Sequence, residues 1–377
     1  MNIIINATIL DEKPSGLGIY TQNIIKELSK MLGAGHQLIV YTSYDVPFDG
    51  LRVIVRKVSK YVQPKYGKWG GVVRFIWTQV IYPLRLIKDK ADIVYNTTHH
   101  AIFLTRVPQI MTIHDLLPIK FSKRHITQHY YFKYVLKFFL HKCLHVFTVS
   151  ENSKKDIHNF YHVDEEKINV IYNGYNEQIF QPVQGKSQLK EKLSGSYMLM
   201  LGASYSHKNV KRVIEAFAKV KDEINCDLVI SGGRNQYIES LKECVKNRGL
   251  GIRVHFIDYV PFSDLPELYS RAKIFLFPSL YEGFGIPVIE AMACGCPVLT
   301  SNVSSLPEVC GNAAYYVDPY SVDNIAAGMT KLLEDVSLRQ ELIQKGFERI
   351  KMFSWEKSAK QILDIIRKID NENSNCS

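Results

Sequence analysis

Short apolar runs alternating with helix-length segments, twice over, most constrain what this chain can fold into. In the first half, Ile3–Asn6 leads into a helix from about Ile19 to Leu32. The runs Gln37–Tyr41, Arg52–Val55, Ile93–Tyr95, Gln109–Ile113, Val146–Val149 and Ile168–Ile171 follow. In the second half Tyr197–Leu201, Cys226–Ile230, Val254–Ile257, Ile274–Phe277, Pro297–Leu299 and Ala314–Val317 repeat the pattern. Strands separated by helices predict α/β architecture with parallel, doubly wound sheets. A length of 377 residues suffices for two such domains, each with its own core. The polar stretch Gln181–Ser196, rich in Gln, Lys, Ser and Gly, is the expected join.

Ligands of doubly wound sheets sit at the carboxyl ends of the strands, and one such end here carries two acids. Ile274–Phe277 is ended by Pro278 and followed by Ser279-Leu280-Tyr281-Glu282-Gly283-Phe284-Gly285-Ile286-Pro287-Val288-Ile289-Glu290-Ala291-Met292. Gly283 and Gly285 permit backbone geometry and a close approach that a Cβ would obstruct. Pro287 suits the first turn of a helix that starts near Ile286 and runs through Cys294 to Gly295. A helix N-terminus behind a glycine loop offers unpaired N–H groups and a positive dipole end to phosphate. Glu282 and Glu290, eight positions apart, would repel that phosphate unless they face hydroxyl groups, which an acceptor-only carboxylate binds. The constellation reads as a socket for a phosphorylated sugar. Taken singly, each acid favours the plainer reading, Glu290 as a complement to the helix dipole and Glu282 as a solvated loop acid; the constellation as a whole does not.

The run from Pro278 to Ser301, with Ser305-Leu306-Pro307-Glu308-Val309 after it, resembles the donor-binding signature of retaining glycosyltransferases of family 4. The hallmark of that signature is a Glu, seven intervening residues and a second Glu, which Glu282 and Glu290 match. The likeness takes in Gly16-Leu17-Gly18, His114-Asp115, Thr148-Val149-Ser150-Glu151, Tyr172-Asn173-Gly174, His207-Lys208-Asn209, Tyr259-Val260 and Phe353-Ser354-Trp355. Its His-Lys-Asn and Leu-Tyr-Glu-Gly-Phe-Gly forms are most similar to the mannosyltransferase-like branch that builds bacterial surface polysaccharides. The resemblance implies the GT-B fold, two Rossmann-like domains facing across a cleft. Residues 1–180 would bind the acceptor and 181–353 the nucleotide-sugar donor, while a helix near Trp355–Ile369, within 354–377, crosses back to the first domain.

It also implies roles. Glu290 is expected on the ribose, Glu282 on sugar hydroxyls, and Lys208 with the Gly283, Phe284, Gly285 and Ile286 backbone on the diphosphate. The backbone of Tyr259 and Val260 meets the base, and His114 contacts the donor sugar near its reacting carbon. Gly16 and Gly18, read as a loop between the first strand and its helix, let acceptor or phosphate approach. Each has a plainer reading: a turn glycine, a surface lysine, or a structural histidine in a chain with 12 histidines. Most of the family places an Arg just after the first glycine of the loop before Lys208, where this chain has Ala203 and Ser204. The phosphate clamp is then expected from Lys208, His207 or the Gly285 and Ile286 amides. No Asp-x-Asp occurs, which argues against a divalent ion on the diphosphate, so neither metal nor cofactor is expected beside the nucleotide-sugar substrate.

Charge adds a partner. Residues 1–180 hold 23 basic and 14 acidic side chains, a net +9, whereas 181–377 hold 24 and 23, a net +1. Residues 51–90 contain ten basic residues and one acid, Asp89, interleaved with Tyr61, Tyr66, Trp69, Phe75, Trp77 and Tyr82; Leu116–Ser150 contains no acid. Such mixtures suit an anionic membrane interface; a solvated basic surface over helices in which Tyr130, Tyr134 and Phe138 pack is the competing reading. Val72–Ile87 is too short and too polar to span a bilayer. No nucleic-acid module is present, no leader is evident, and the seven scattered cysteines suit reduced thiols. The expectation is a cytoplasmic enzyme at the inner face of the cytoplasmic membrane, moving a hexose to a lipid-linked oligosaccharide. GDP-mannose is the first donor expected, with UDP-hexoses, UDP-N-acetylhexosamines and deoxysugar donors open. A non-catalytic nucleotide-sugar-binding protein is a second reading. An NAD-type dehydrogenase is a third, and it lacks Gly-x-Gly-x-x-Gly followed by an acid about 20 residues on.

Overall fold

The computed structural model describes all residues except 13–14, 34, 46–51, 123–125, 186–194 and 376–377. The chain divides into two compact units, one formed by 1–174 with 355–377 and the other by 175–354. The first holds a seven-stranded sheet of β1 (Asn2–Asn6), β2 (Gln37–Thr42), β3 (Val53–Lys57), β4 (Ile93–Asn96), β5 (Gln109–Ile113), β6 (His145–Thr148) and β7 (Ile168–Val170), ordered 3-2-1-4-5-6-7. The second holds a six-stranded sheet of β8 (Tyr197–Met200), β9 (Asp227–Ser231), β10 (Val254–Ile257), β11 (Ile274–Phe277), β12 (Val298–Ser301) and β13 (Ala314–Val317), ordered 10-9-8-11-12-13. Every pairing is parallel. Central strands such as Ile274–Phe277 are buried throughout, as continuous apolar runs covered by helices on both faces require.

Two expectations are corrected. The first helix starts at Gly16, three positions before Ile19, so Gly16-Leu17-Gly18 is its first turn and not a loop. Ser15 is its extended N-cap, and the glycines behind it adopt helical geometry that their weak propensity concealed. The second unit begins at Tyr175, not at Gln181, because the segment ahead of the join packs on it: the Phe180 ring meets Phe262 at 5.1 Å and Tyr269 at 6.2 Å. Part of the expected join, 186–194, lies outside the described residues. The last helix, Trp355–Asn375, belongs to the first unit. It buries Ile362, Leu363, Ile366 and Ile369, sets Trp355 5.9 Å from Tyr20 on the first helix, and donates Ser358 Oγ to Tyr172 O at 2.6 Å.

Two helical stretches of the first unit turn apolar side chains outward. From Gly67 to Lys88 the stripe is Trp69 (67% exposed), Val72, Ile76, Val80, Leu84 and Ile87 (74%), with Lys68, Arg85 and Lys88 exposed beside it. From Ile126 to Lys142 it is Ile126, Tyr130 (58%), Tyr134 (62%) and Phe138, spaced by four, with Lys133 and Lys137 between them. The two stretches adjoin, with Phe75 6.1 Å from Tyr131. The core reading for Tyr130, Tyr134 and Phe138 is therefore overturned, since Phe132, Leu136, Phe139 and Leu140 fill the inward positions. Among the described residues no helix is long and apolar enough to cross a membrane.

The second sheet is packed to contact at Gly328 on the helix Val322–Glu334: a Cβ there would lie 2.9 Å from Leu299 Cδ1 and from Val317 Cγ1. Gly328→Ala therefore lowers the urea midpoint of the second unit, at a cost of about 1–3 kcal/mol from overpacking, despite the roughly 1 kcal/mol that alanine gains in helix propensity.

Candidate active site

Strand order in the second sheet reverses between β8 and β11, so the loops leaving their carboxyl ends part and open a crevice. The first of these loops ends in the tight turn Ser206–Lys208, and the second runs from Pro278 to Gly285. Leu280 N donates to His207 O at 2.8 Å and ties them together. Lys208 Nζ stands 2.7 Å from Glu282 Oε1, with both side chains nearly buried, and 4.5 Å from the centre of the Phe277 ring. The structure thus brings the two sequence-predicted charges into one ion pair at the mouth of the crevice. Asn209, left-handed at φ 67°, sets the lysine's direction. Its Nδ2 donates to Pro278 O at 3.0 Å and Pro319 O at 2.6 Å, and its Oδ1 accepts from Arg212 Nη1 at 2.9 Å.

The glutamate loop is held by its backbone. Ser304, in the left-handed region at φ 61°, donates to Glu282 O at 2.7 Å and accepts from Glu282 N at 3.1 Å. Ser305 Oγ lies 3.0 Å from Glu282 O and 3.1 Å from Phe284 O. Gly285 then takes φ 105° as N-cap of the helix Ile286–Ala293, which no side chain caps. A Cβ on Gly285 would meet Leu306 Cδ2 at 3.0 Å, so both conformation and space demand glycine. The result is a helix N-terminus without a side-chain cap among the described residues, entered by the loop that carries the ion pair's Glu282.

Glu290 projects from the second turn of that helix into a buried site, where Tyr269 OH donates to its Oε2 at 3.2 Å. Burial pushes its carboxyl up to about 7, against the Tyr269 hydrogen bond that works the other way. Tyr259 and Val260 follow β10 at the sheet edge, two strands from β8, with Tyr259 exposed. Ala203 is buried, and Ser204 Oγ accepts from Gly233 N at 2.8 Å, which commits the family's Arg position to packing and to a loop tie.

In the first unit His114 follows β5, 4.5 Å edge-on to Tyr20, with Nε2 3.0 Å from Thr97 O. A carbonyl only accepts, so Nε2 carries the proton and Nδ1 is left as an acceptor. Burial holds the imidazole down to about 4, keeping it neutral at pH 7.

Residues 14–178 match the family described as Glycosyltransferase Family 4, and residues 185–349 match Glycosyl transferases group 1. The O-antigen chain mannosyltransferase RfbU of Salmonella typhimurium is 34% identical over 319 residues, which cover 84% of this chain and 87% of that protein. The chain belongs to glycosyltransferase family 4. Among solved structures, sucrose-phosphate synthase from Thermosynechococcus elongatus superposes with TM-score 0.75 at 21% identity, covering 98% of this chain and 99% of that one. Anabaena HepE in complex with UDP and glucose gives TM-score 0.74 at 18% identity, covering 98% and 100%. Both likenesses establish the GT-B fold of this glycosyltransferase.

Asn209, Ser304, Ser305 and Tyr269 were given no role from the sequence. The first three lie within or beside motifs already singled out, but they act by holding backbone carbonyls, which leaves no pattern of its own. In this glycosyltransferase the raised Glu290 carboxyl links site to stability. A carboxyl near 4.5 unfolded and about 7 folded contributes stability below pH 4.5 and loses it as pH rises through 7, on the order of 3 kcal/mol in all. Glu290→Gln therefore raises the melting temperature of the nucleotide-free enzyme at pH 8, with the gain shrinking towards pH 4.5; a pH-resolved thermal melt of both proteins reads it.

Proposed function

We propose that this glycosyltransferase moves mannose from GDP-mannose to a hydroxyl of a lipid-linked oligosaccharide in bacterial surface-polysaccharide synthesis, with retained configuration and without a metal. The observation that carries the reading is the gathering of Lys208, Glu282 and a helix N-terminus that no described side chain caps at the crevice between β8 and β11. A cation and a positive dipole end suit a diphosphate. A carboxylate held beside them suits sugar hydroxyls. Glu290, already using one oxygen on Tyr269, offers the other to the ribose. The Tyr259-Val260 backbone is assigned to the base and His207 to the phosphate side. In the first unit, His114 keeps the role that the resemblance implies. Gly16 and Gly18, in the first turn of a helix, are assigned to the acceptor side. The similarity to an O-antigen chain mannosyltransferase supports the sugar and the pathway class.

In the proposed step the bond from the sugar's C1 to the diphosphate oxygen breaks on the same face on which the acceptor oxygen bonds to C1. The acceptor's proton passes to the departing phosphate oxygen, and Lys208 offsets the charge that accumulates there. No side chain is asked to act as nucleophile.

Thermal shifts with GDP, UDP, ADP and dTDP, with and without magnesium, test the donor. GDP stabilises the protein, magnesium changes nothing, and Glu290→Ala abolishes the shift; selectivity for UDP would move the donor to a UDP-hexose, and no response to any nucleotide would sink the transferase reading. The outward apolar and basic stripes of the first unit support a location on an anionic bilayer. It sediments with anionic vesicles at low salt, less so at high salt and less so as Trp69→Ser; failure to sediment at low salt removes the membrane from the proposal.

A further inference from the structure

What His114 offers a ligand depends on how its ring is held. The outer torsion of a histidine is broad and two-fold, and either ring nitrogen can carry the proton. Two consecutive residues of the first helix, Tyr20 and Thr21, reach this imidazole by separate routes, and both are fully buried.

The route through Tyr20 fixes the plane of the ring. Tyr20 stands 4.5 Å from the imidazole at 87°, an edge-on aromatic contact. Its hydroxyl lies 2.7 Å from Tyr95 OH on β4 and 3.3 Å from Thr112 Oγ1 on β5, and those two are 2.9 Å from each other. Each hydroxyl of this triangle can donate once and accept once, so burial leaves none of them unpaired. Trp355 packs on the same tyrosine at 5.9 Å. With its tip bonded to two strands and its ring packed, Tyr20 is not free to swing aside and let the imidazole turn.

The route through Thr21 fixes the tautomer. The carbonyl that takes the His114 Nε2 proton belongs to Thr97, a buried residue just past β4. Thr97 Oγ1 gives its own proton to Asn6 O, at the end of β1, at 3.3 Å, so at 2.8 Å it accepts from Thr21 Oγ1. The helix that carries Tyr20 therefore also anchors the backbone that selects the protonated nitrogen. His114 Nδ1 can then only accept, and a ligand group that meets it must bring a proton, as a sugar hydroxyl does. We infer that Tyr20 and Thr21 are positioning residues of this glycosyltransferase: together they hold the His114 ring in one orientation and one tautomer, with Nδ1 as the acceptor for a hydroxyl of the donor sugar. The inference rests on the proposed role of His114 beside that sugar.

The test joins two measurements on the full chain. Heteronuclear NMR of the histidine rings, without nucleotide at pH 7, reads the tautomer, with the His114 signals identified by their loss in His114→Gln. The parent shows a neutral ring protonated at Nε2 alone, and Tyr20→Leu and Thr21→Val turn it into a mixture of both tautomers. Calorimetry with GDP-mannose and with GDP reads the consequence. Both variants and His114→Gln bind GDP-mannose about three- to tenfold more weakly, the size of one lost hydrogen bond, while GDP, which has no sugar, binds as before. Tyr20→Phe keeps the ring and leaves Tyr95 bonded to Thr112, so it matches the parent in both measurements. Should Tyr20→Leu not fold, Thr21→Val, close to threonine in shape, carries the test. A parent ring protonated at Nδ1, or a single unchanged tautomer in the variants, overturns the inference alone. GDP-mannose bound by His114→Gln as by the parent overturns the role of His114, and the inference with it, whatever the tautomer.

Discussion

Parallel pairing is the constraint from which the rest of this structure follows. A strand can be joined to a parallel neighbour only by a crossover, so every strand in a sheet points the same way and all carboxyl ends share one edge. Where successive crossovers leave in opposite directions, the loops at that edge diverge. Each sheet does this once, at β1 and β4 and at β8 and β11. Neither crevice needs dedicated residues to exist. The side chains only determine what it will hold, and in the second unit they place charge there.

That placement works against stability. Lys208 and Glu282 are withdrawn from water together, which an apolar pair of similar volume would tolerate better. Glu290 sits where its ionised form is disfavoured, and the Arg74 guanidinium is buried. The surrounding sheets and helices are ordinary apolar cores that carry the opposing free energy. Strain and desolvation concentrated in loops that rigid strands support is the usual form of a site prepared for a ligand that completes it.

Strand positions, element type and the glutamate loop were legible because each leaves a local pattern. All the strands lie within two residues of the apolar runs that announce them. Gly285 and Pro287 mark the helix start in the chain as they do in the fold. What was not legible depends on contacts between distant segments. Gly16 and Gly18 carry no local sign of being helical. Phe180 looks like part of a linker until Tyr269 is placed against it. Ser304 reads as a loop serine, yet its positive φ and its bonds to the Glu282 backbone orient the acid. Arg74 resembles any other basic residue in a basic stretch until its neighbours are known.

The second unit is an insertion. Residues 175–354 form it without interruption, while the first unit is split into 1–174 and the segment from Trp355 onward. During synthesis, then, the part of the first unit made earliest waits longest. Its opening helix cannot receive Trp355, nor Tyr172 its bond from Ser358, until the whole second unit has left the ribosome. Domains fold as units while the chain emerges, so the later-made domain is complete first and the earlier one is completed only afterwards. Until then the face that the last helix will cover, around Tyr20, stays exposed to solvent.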